Sequence, residues 1–103
     1  LYVADIKDNK TFKYPVNADG TLGERKVYVE QGSDGMTIDA RGNIYLTGKG
    51  VTVYNPEGRK IEHIDIPADW TANVTFGGKN KDLLFITASK SIYTLKMNVK
   101  GGN

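Results

Sequence analysis

The chain of 103 residues has no cysteine, a single histidine, a single tryptophan and only three prolines. Without cysteine there is no disulfide framework, no thiolate metal site and no cysteine nucleophile. The one histidine, His63, rules out a two-histidine metal site within the chain. It lies between Glu62 and Ile64 on an outer strand of the predicted fold. There it reads as a surface residue, and no Ser-His-Asp arrangement can be built around it. No apolar run approaches the ~18 residues a membrane helix needs, so no membrane-spanning segment is expected. An excess of one charge is also missing: 14 Lys and Arg stand against 12 Asp and Glu, a formal net charge of +2. The triplets Glu24-Arg25-Lys26 and Lys79-Asn80-Lys81 fall in turns rather than along one stripe, so a nucleic-acid partner is not expected. No secretion signal is recognisable, and the compartment stays open between cytoplasm and periplasm.

What is present is alternation. Short apolar runs rich in Tyr, Val, Ile and Thr recur from end to end, the composition a pleated, half-buried surface favours. They span 1–4, 11–16, 26–30, 36–40, 43–47, 51–55, 62–66, 73–76, 83–88 and 91–97, giving ten predicted strands and no helix. Between them stand Asp8-Asn9, Asn17-Ala18-Asp19-Gly20, Arg41-Gly42-Asn43, Gly48-Lys49-Gly50, Asn55-Pro56-Glu57-Gly58 and Gly77-Gly78-Lys79-Asn80. Gly and Asn supply positive φ, and Pro presets the first turn dihedral. Loops this short join successive strands into antiparallel meanders.

One phrase repeats: Leu1-Tyr2-Val3-Ala4-Asp5, Ile44-Tyr45-Leu46-Thr47-Gly48 and Leu84-Phe85-Ile86-Thr87-Ala88, with starts 43 and 40 residues apart. A period of ~40–45 residues built from short strands is that of four-stranded propeller blades. The fold class is therefore all-β, a β-propeller fragment of about two and a half four-stranded antiparallel blades. Residues 1–30 supply the last three strands of one blade, 34–66 a complete blade and 72–97 the first three strands of the next, all within one partial domain. Each blade buries its faces against two neighbours. Two apolar flanks are therefore expected to be covered either by missing blades of a parent chain or by self-association.

Ser33-Asp34-Gly35-Met36 precedes the innermost strand of the complete blade, where a propeller opens onto its central channel. A carboxylate there suits a hard cation gathered by oxygen ligands from several segments. Gly35 permits close backbone approach. Asp-Gly is equally a common turn signal, so spacing alone leaves Asp34 open between metal binding and loop shaping. Asp5 ends a strand at the same expected mouth and reads either as a partner orienting a ligand or as a carboxylate bonding turn amides. Asn73 reads as mouth-facing or as a strand start. Trp70, in the loop before an inner strand, reads as packing over the blade edge or as a wall of a substrate pocket. Thr47 and Thr87, equivalents of Ala4, suggest a shared structural job, and Asp39 reads as turn chemistry.

The stretch from Gly32 to Tyr45, Gly-Ser-Asp-Gly-Met-Thr-Ile-Asp-Ala-Arg-Gly-Asn-Ile-Tyr, resembles the signature of the gluconolactonase and regucalcin family. So do Ala72-Asn73-Val74-Thr75-Phe76-Gly77-Gly78 and the strand Leu84-Phe85-Ile86-Thr87-Ala88, in the family's order. Ser33 departs from the family's usual Pro. The resemblance implies a six-bladed propeller with a divalent cation, calcium before zinc or magnesium, at one end of the channel. It also implies hydrolysis of sugar lactones and related cyclic esters. Asp34 matches the family's metal-binding aspartate, which is also proposed to act in catalysis. Asp5, Asn73 and Trp70 are further candidates for contact with substrate or support of a ligand. The remaining ligands, a Glu and an Asn, come from earlier blades, so the cation site is expected to be incomplete in this chain. The competing expectations are a non-catalytic propeller that binds a ligand or partner, with no cation, and a free-standing β-sandwich without the ~40-residue repeat.

Overall fold

The computed structural model describes residues 1–102. Ten strands follow one another: β1 (Tyr2–Asp5), β2 (Lys10–Lys13), β3 (Lys26–Val29), β4 (Met36–Ile38), β5 (Ile44–Gly48), β6 (Gly50–Tyr54), β7 (Lys60–Ile64), β8 (Thr71–Gly77), β9 (Leu83–Ala88) and β10 (Ser91–Lys96). No helix occurs among the described residues. Three antiparallel meanders result, ordered β1-β2-β3, β4-β5-β6-β7 and β10-β9-β8. Each expected run has its strand, and the ends differ where side chains intervene. The run expected over 11–16 ends at Lys13 in β2, because Pro15 has no N–H to give a ladder. Val16 instead pairs with Leu22 as an isolated bridge around a turn closed by Gly20 N donating to Asn17 O at 2.9 Å.

The chain forms two compact units, Leu1–Ser33 and Asp34–Asn103. The first holds β1–β3. Its Thr11 is fully buried and donates its hydroxyl to Gln31 O at 2.7 Å, while the Arg25 guanidinium sits 4.2 Å over the Phe12 ring. The second holds the other two sheets, and its core is Tyr45, Val51, Val53, Val74, Leu84 and Ile86. These side chains come from β5, β6, β8 and β9, so the four-stranded sheet packs on the following one. Burying each such side chain stabilises by about 1.5–3 kcal/mol. The Tyr45 and Phe76 rings meet edge to face at 5.3 Å across that contact. β5 is buried along its whole length and β10 is largely exposed, with Ile92 at 72%.

Two local devices fix the ends of β4. At its far end the chain turns through Asp39-Ala40-Arg41-Gly42-Asn43. Asp39 is buried, yet both of its carboxylate oxygens are satisfied. Oδ1 accepts from Arg41 N at 2.8 Å and Asn43 N at 3.0 Å; Oδ2 accepts from Asn43 Nδ2 at 2.9 Å and the Tyr45 hydroxyl at 3.0 Å. Gly42, at φ 84°, supplies the left-handed step this turn needs. Burial first, then the neighbouring Asp39 charge, raises the Tyr45 hydroxyl well above its ordinary pKa of 10.0. The tyrosine therefore stays a donor.

At the near end, Gly35 approaches the start of β8 so closely that a β-carbon would collide with the Asn73 amide oxygen and stand 2.8 Å from the Asn73 Cα. Glycine was expected here to permit close backbone approach; the structure shows that what approaches is the adjacent strand. The buried Thr47 hydroxyl closes the arrangement. It lies 3.0 Å from Gly35 N, 3.1 Å from Gly35 O and 3.3 Å from Ala72 O, accepting from the first and donating toward the carbonyls. One side chain of β5 thus holds the approach to β4 against the approach to β8.

Asp39→Ala is expected to cost about 3 kcal/mol of stability, because it leaves the Tyr45 hydroxyl buried without an acceptor; urea unfolding measures it. The raised Tyr45 pKa contributes stability that is whole below the ordinary value of 10.0 and is lost as pH rises beyond it. Unfolding measured from neutral pH upward should therefore show an alkaline decline that Tyr45→Phe flattens. At the other end, Thr47→Val keeps the shape but removes the hydroxyl that bonds Gly35 N, Gly35 O and Ala72 O, for an expected loss of about 2 kcal/mol. Gly35→Ala should cost at least as much, since one of the atoms it would meet, the Asn73 Cα at 2.8 Å, is backbone and cannot swing aside.

Candidate metal and substrate site

Asp34 stands one residue before Gly35, so the Thr47 anchor sets its backbone. Its side chain is exposed, and its Oδ2 accepts a hydrogen bond from the Trp70 indole N–H at 2.7 Å. That is a short bond for a nitrogen donor, as a charged acceptor favours. Oδ1 accepts no hydrogen bond from the described residues. The contrast with Asp39 is chemical. Asp39 has four donors and little lone-pair capacity left, whereas Asp34 has one donor and a second oxygen open to an outside group.

Trp70 comes from the loop between β7 and β8. It is 44% exposed, and the far edge of its ring lies 3.8 Å from where a β-carbon would stand on Gly48, at the end of β5. The indole therefore rests on the β5–β6 hairpin while its N–H reaches Asp34. Packing over a blade edge and walling a substrate pocket were posed as alternatives for this residue; the structure places it beside the end of β5 and in hydrogen bond with Asp34. Just beyond it, β8 carries a bulge. Thr71 pairs with Ala88 and Asn73 with Thr87, leaving Ala72 without a partner. Such a bulge re-aims the side chains beside it. Asn73 lies over Gly35 and is exposed, with its Oδ1 accepting from the amide of Val74 at 2.9 Å. Asp34, Trp70 and Asn73 are thus brought together, 36 residues apart in sequence at the hydrogen-bonded pair.

Asp5 belongs to the first unit, at the end of β1. Its Oδ1 accepts from Lys7 N at 3.0 Å and Asp8 N at 3.1 Å, closing the β1–β2 turn. His63 lies on β7, with Nδ1 3.1 Å from the Thr52 hydroxyl and Nε2 3.4 Å from the Asp65 carboxylate. Thr47 has the structural job expected of it, whereas Thr87 is exposed on β9. What sequence reasoning missed is the bond between Asp34 and Trp70. Both residues were singled out, but nothing in their spacing pairs them.

Among the described residues no three His, Cys, Asp or Glu side chains gather into a metal-binding group. The chain supplies one oxygen donor at this place, and that donor fits a hard cation: an exposed carboxylate with one oxygen held and the other uncommitted. Nor is any helix among the described residues long and apolar enough to cross a membrane.

Comparison with known proteins gives this geometry a context. Residues 1–90 match the family model described as "SMP-30/Gluconolactonase/LRE-like region". The chain is 31% identical to a 6-deoxy-6-sulfogluconolactonase of Pseudomonas putida over 86% of its own length and 34% of the relative's. It is 27% identical to the pentonolactonase XacC of Haloferax volcanii over the same shares, 86% and 34%. The crystal structure of a calcium-binding protein, regucalcin, from Agrobacterium tumefaciens superposes with a TM-score of 0.84 at 26% identity, covering 97% of this chain and 42% of that one. The chain thus spans about a third of the curated relatives' length, and its three meanders correspond to blades of their propeller fold. With 90 of its 103 residues inside that model, this chain is a member of the SMP-30/gluconolactonase/LRE-like family and a portion of its β-propeller.

Proposed function

We propose that the protein containing this chain hydrolyses sugar lactones or related cyclic esters, and that Asp34 is a ligand of its divalent cation and a catalytic carboxylate. The observation that carries this reading is the state of Asp34: exposed, anchored through Gly35, and bonded through Oδ2 only, within a chain whose relatives include two lactonases and a calcium-binding regucalcin. Calcium is the first candidate, with zinc and magnesium as alternatives. When bound, such a cation supplies a Lewis acid for the lactone carbonyl.

The chain's own contribution follows from Oδ1. A carboxylate oxygen has two lone-pair sites, so Oδ1 can hold a cation and still accept a hydrogen bond from a water. Asp34 thereby orients the attacking water and takes its proton as the water oxygen bonds to the lactone carbonyl carbon. The ring C–O bond then opens as the departing ring oxygen takes that proton from Asp34, giving a hydroxy acid and restoring the carboxylate. Asn73, beside Asp34, is placed to meet the substrate's hydroxyls. Asp5 remains a candidate supporting residue at the end of β1. The other donors come from blades of the parent chain, or from a second copy, that also cover the flanks of these sheets.

In the full-length protein, Asp34→Ala is expected to lower kcat/KM for an aldonolactone by ~10³-fold or more. A chelator should abolish the wild-type activity, and added calcium should restore it. The 103-residue segment by itself should be inactive, because one carboxylate leaves calcium mostly hydrated. Near-normal lactonase activity in Asp34→Ala, followed by pH-stat or indicator assay, would refute the role of this residue.

A further inference from the structure

Trp70 is the one tryptophan of the chain, and its sole polar atom is directed at the one carboxylate assigned to the cation. We infer that Trp70 is the positioning residue of Asp34: its indole N–H holds Oδ2 and so presents Oδ1 to the cation in a fixed direction. This rests on the assignment of Asp34 as a metal ligand and goes beyond it.

Three observations carry the inference. The first is the bond itself, 2.7 Å long, between a donor with no acceptor capacity and an oxygen that accepts from no other described residue. An indole N–H offers a single hydrogen in the plane of a rigid ring, so it fixes direction as well as distance. Second, the ring has a neighbour on the sheet. Its far edge lies 3.8 Å from where a β-carbon would stand on Gly48, an ordinary van der Waals distance, so the end of β5 supports one side of it. The third is that Asp34 is exposed, and its anchor at Gly35 acts on the backbone and leaves χ1 and χ2 of the side chain unset. An exposed aspartate without a side-chain partner samples several rotamers and loses that freedom on binding a cation. Trp70 removes part of this cost beforehand.

Groups that orient a ligand typically change metal affinity by 10–100-fold. Calcium binding to the full-length protein, measured by calorimetry, is therefore expected to weaken about tenfold in Trp70→Phe, with an unchanged thermal unfolding midpoint. Benzothienylalanine at position 70 keeps the bicyclic shape and lacks the N–H; it should weaken calcium binding to the same extent. Calcium should also shift the part of the emission that wild type shows and Trp70→Phe lacks, and Asp34→Asn should remove the shift. If Asp34→Asn abolishes calcium binding while Trp70→Phe binds as tightly as wild type, the positioning role is overturned and the ligand assignment stands. If benzothienylalanine binds calcium normally while Trp70→Phe does not, ring packing rather than the N–H is responsible, and the inference again fails. If wild type and Asp34→Asn bind calcium alike, both readings fall together.

Discussion

A single hydroxyl group, on Thr47, joins three stretches of chain that are distant in sequence. It accepts from the amide of Gly35 and donates toward the carbonyls of Gly35 and Ala72. β5, which carries it, is buried from end to end, so this hydroxyl has no water to exchange with and must find its partners in protein. The consequence is positional. The segments entering β4 and β8 are held side by side, and the glycine at position 35 lets them approach to a distance no other residue permits. Asp34, Trp70 and Asn73 flank that contact. The site is thus built on the most buried strand of the second unit rather than on a free loop, which is how a scaffold keeps an exposed carboxylate in one place.

Asp34 and Asp39 bracket the same short strand and have opposite chemistry. Asp39 is enclosed and accepts four hydrogen bonds, two from backbone amides, one from a side-chain amide and one from a tyrosine. Its charge is distributed over the turn that it closes, and it has no remaining capacity for a ligand. Asp34 is open and accepts one. Both are aspartates of one signature segment, so residue type does not separate them. Burial and the number of donors do. In Asp5 and Asn55 the Oδ1 atom is taken up by two amides of the turn that the residue begins.

Much of this was legible in the residues. Asn17-Ala18-Asp19-Gly20, Asn55-Pro56-Glu57-Gly58 and Gly77-Gly78-Lys79-Asn80 mark turns because Gly and Asn accept backbone conformations others avoid. Ten strands lie between such punctuation, in three meanders whose pairing follows chain order. Strand ends were less legible. β2 stops before Pro15 although apolar character continues to Val16, and β4 stops at Ile38 because the Asp39 side chain competes for the amides beyond it. Gly35 was legible as a required glycine, but the reason lay in a strand 38 residues away at Asn73.

The sequence by itself determined the period, the all-β class, the antiparallel neighbours and the family to which Asp34 belongs. Those properties come from local chemistry: alternation of apolar residues, turn dihedrals, and a motif read along one stretch of chain. Only the tertiary structure decided which oxygen of Asp34 is occupied and by what. That depends on the packing of two sheets, on a bulge at Ala72 and on an indole resting against Gly48. A hydrogen bond spanning 36 residues leaves no trace in spacing, because its geometry is the sum of every strand twist and turn between its two ends.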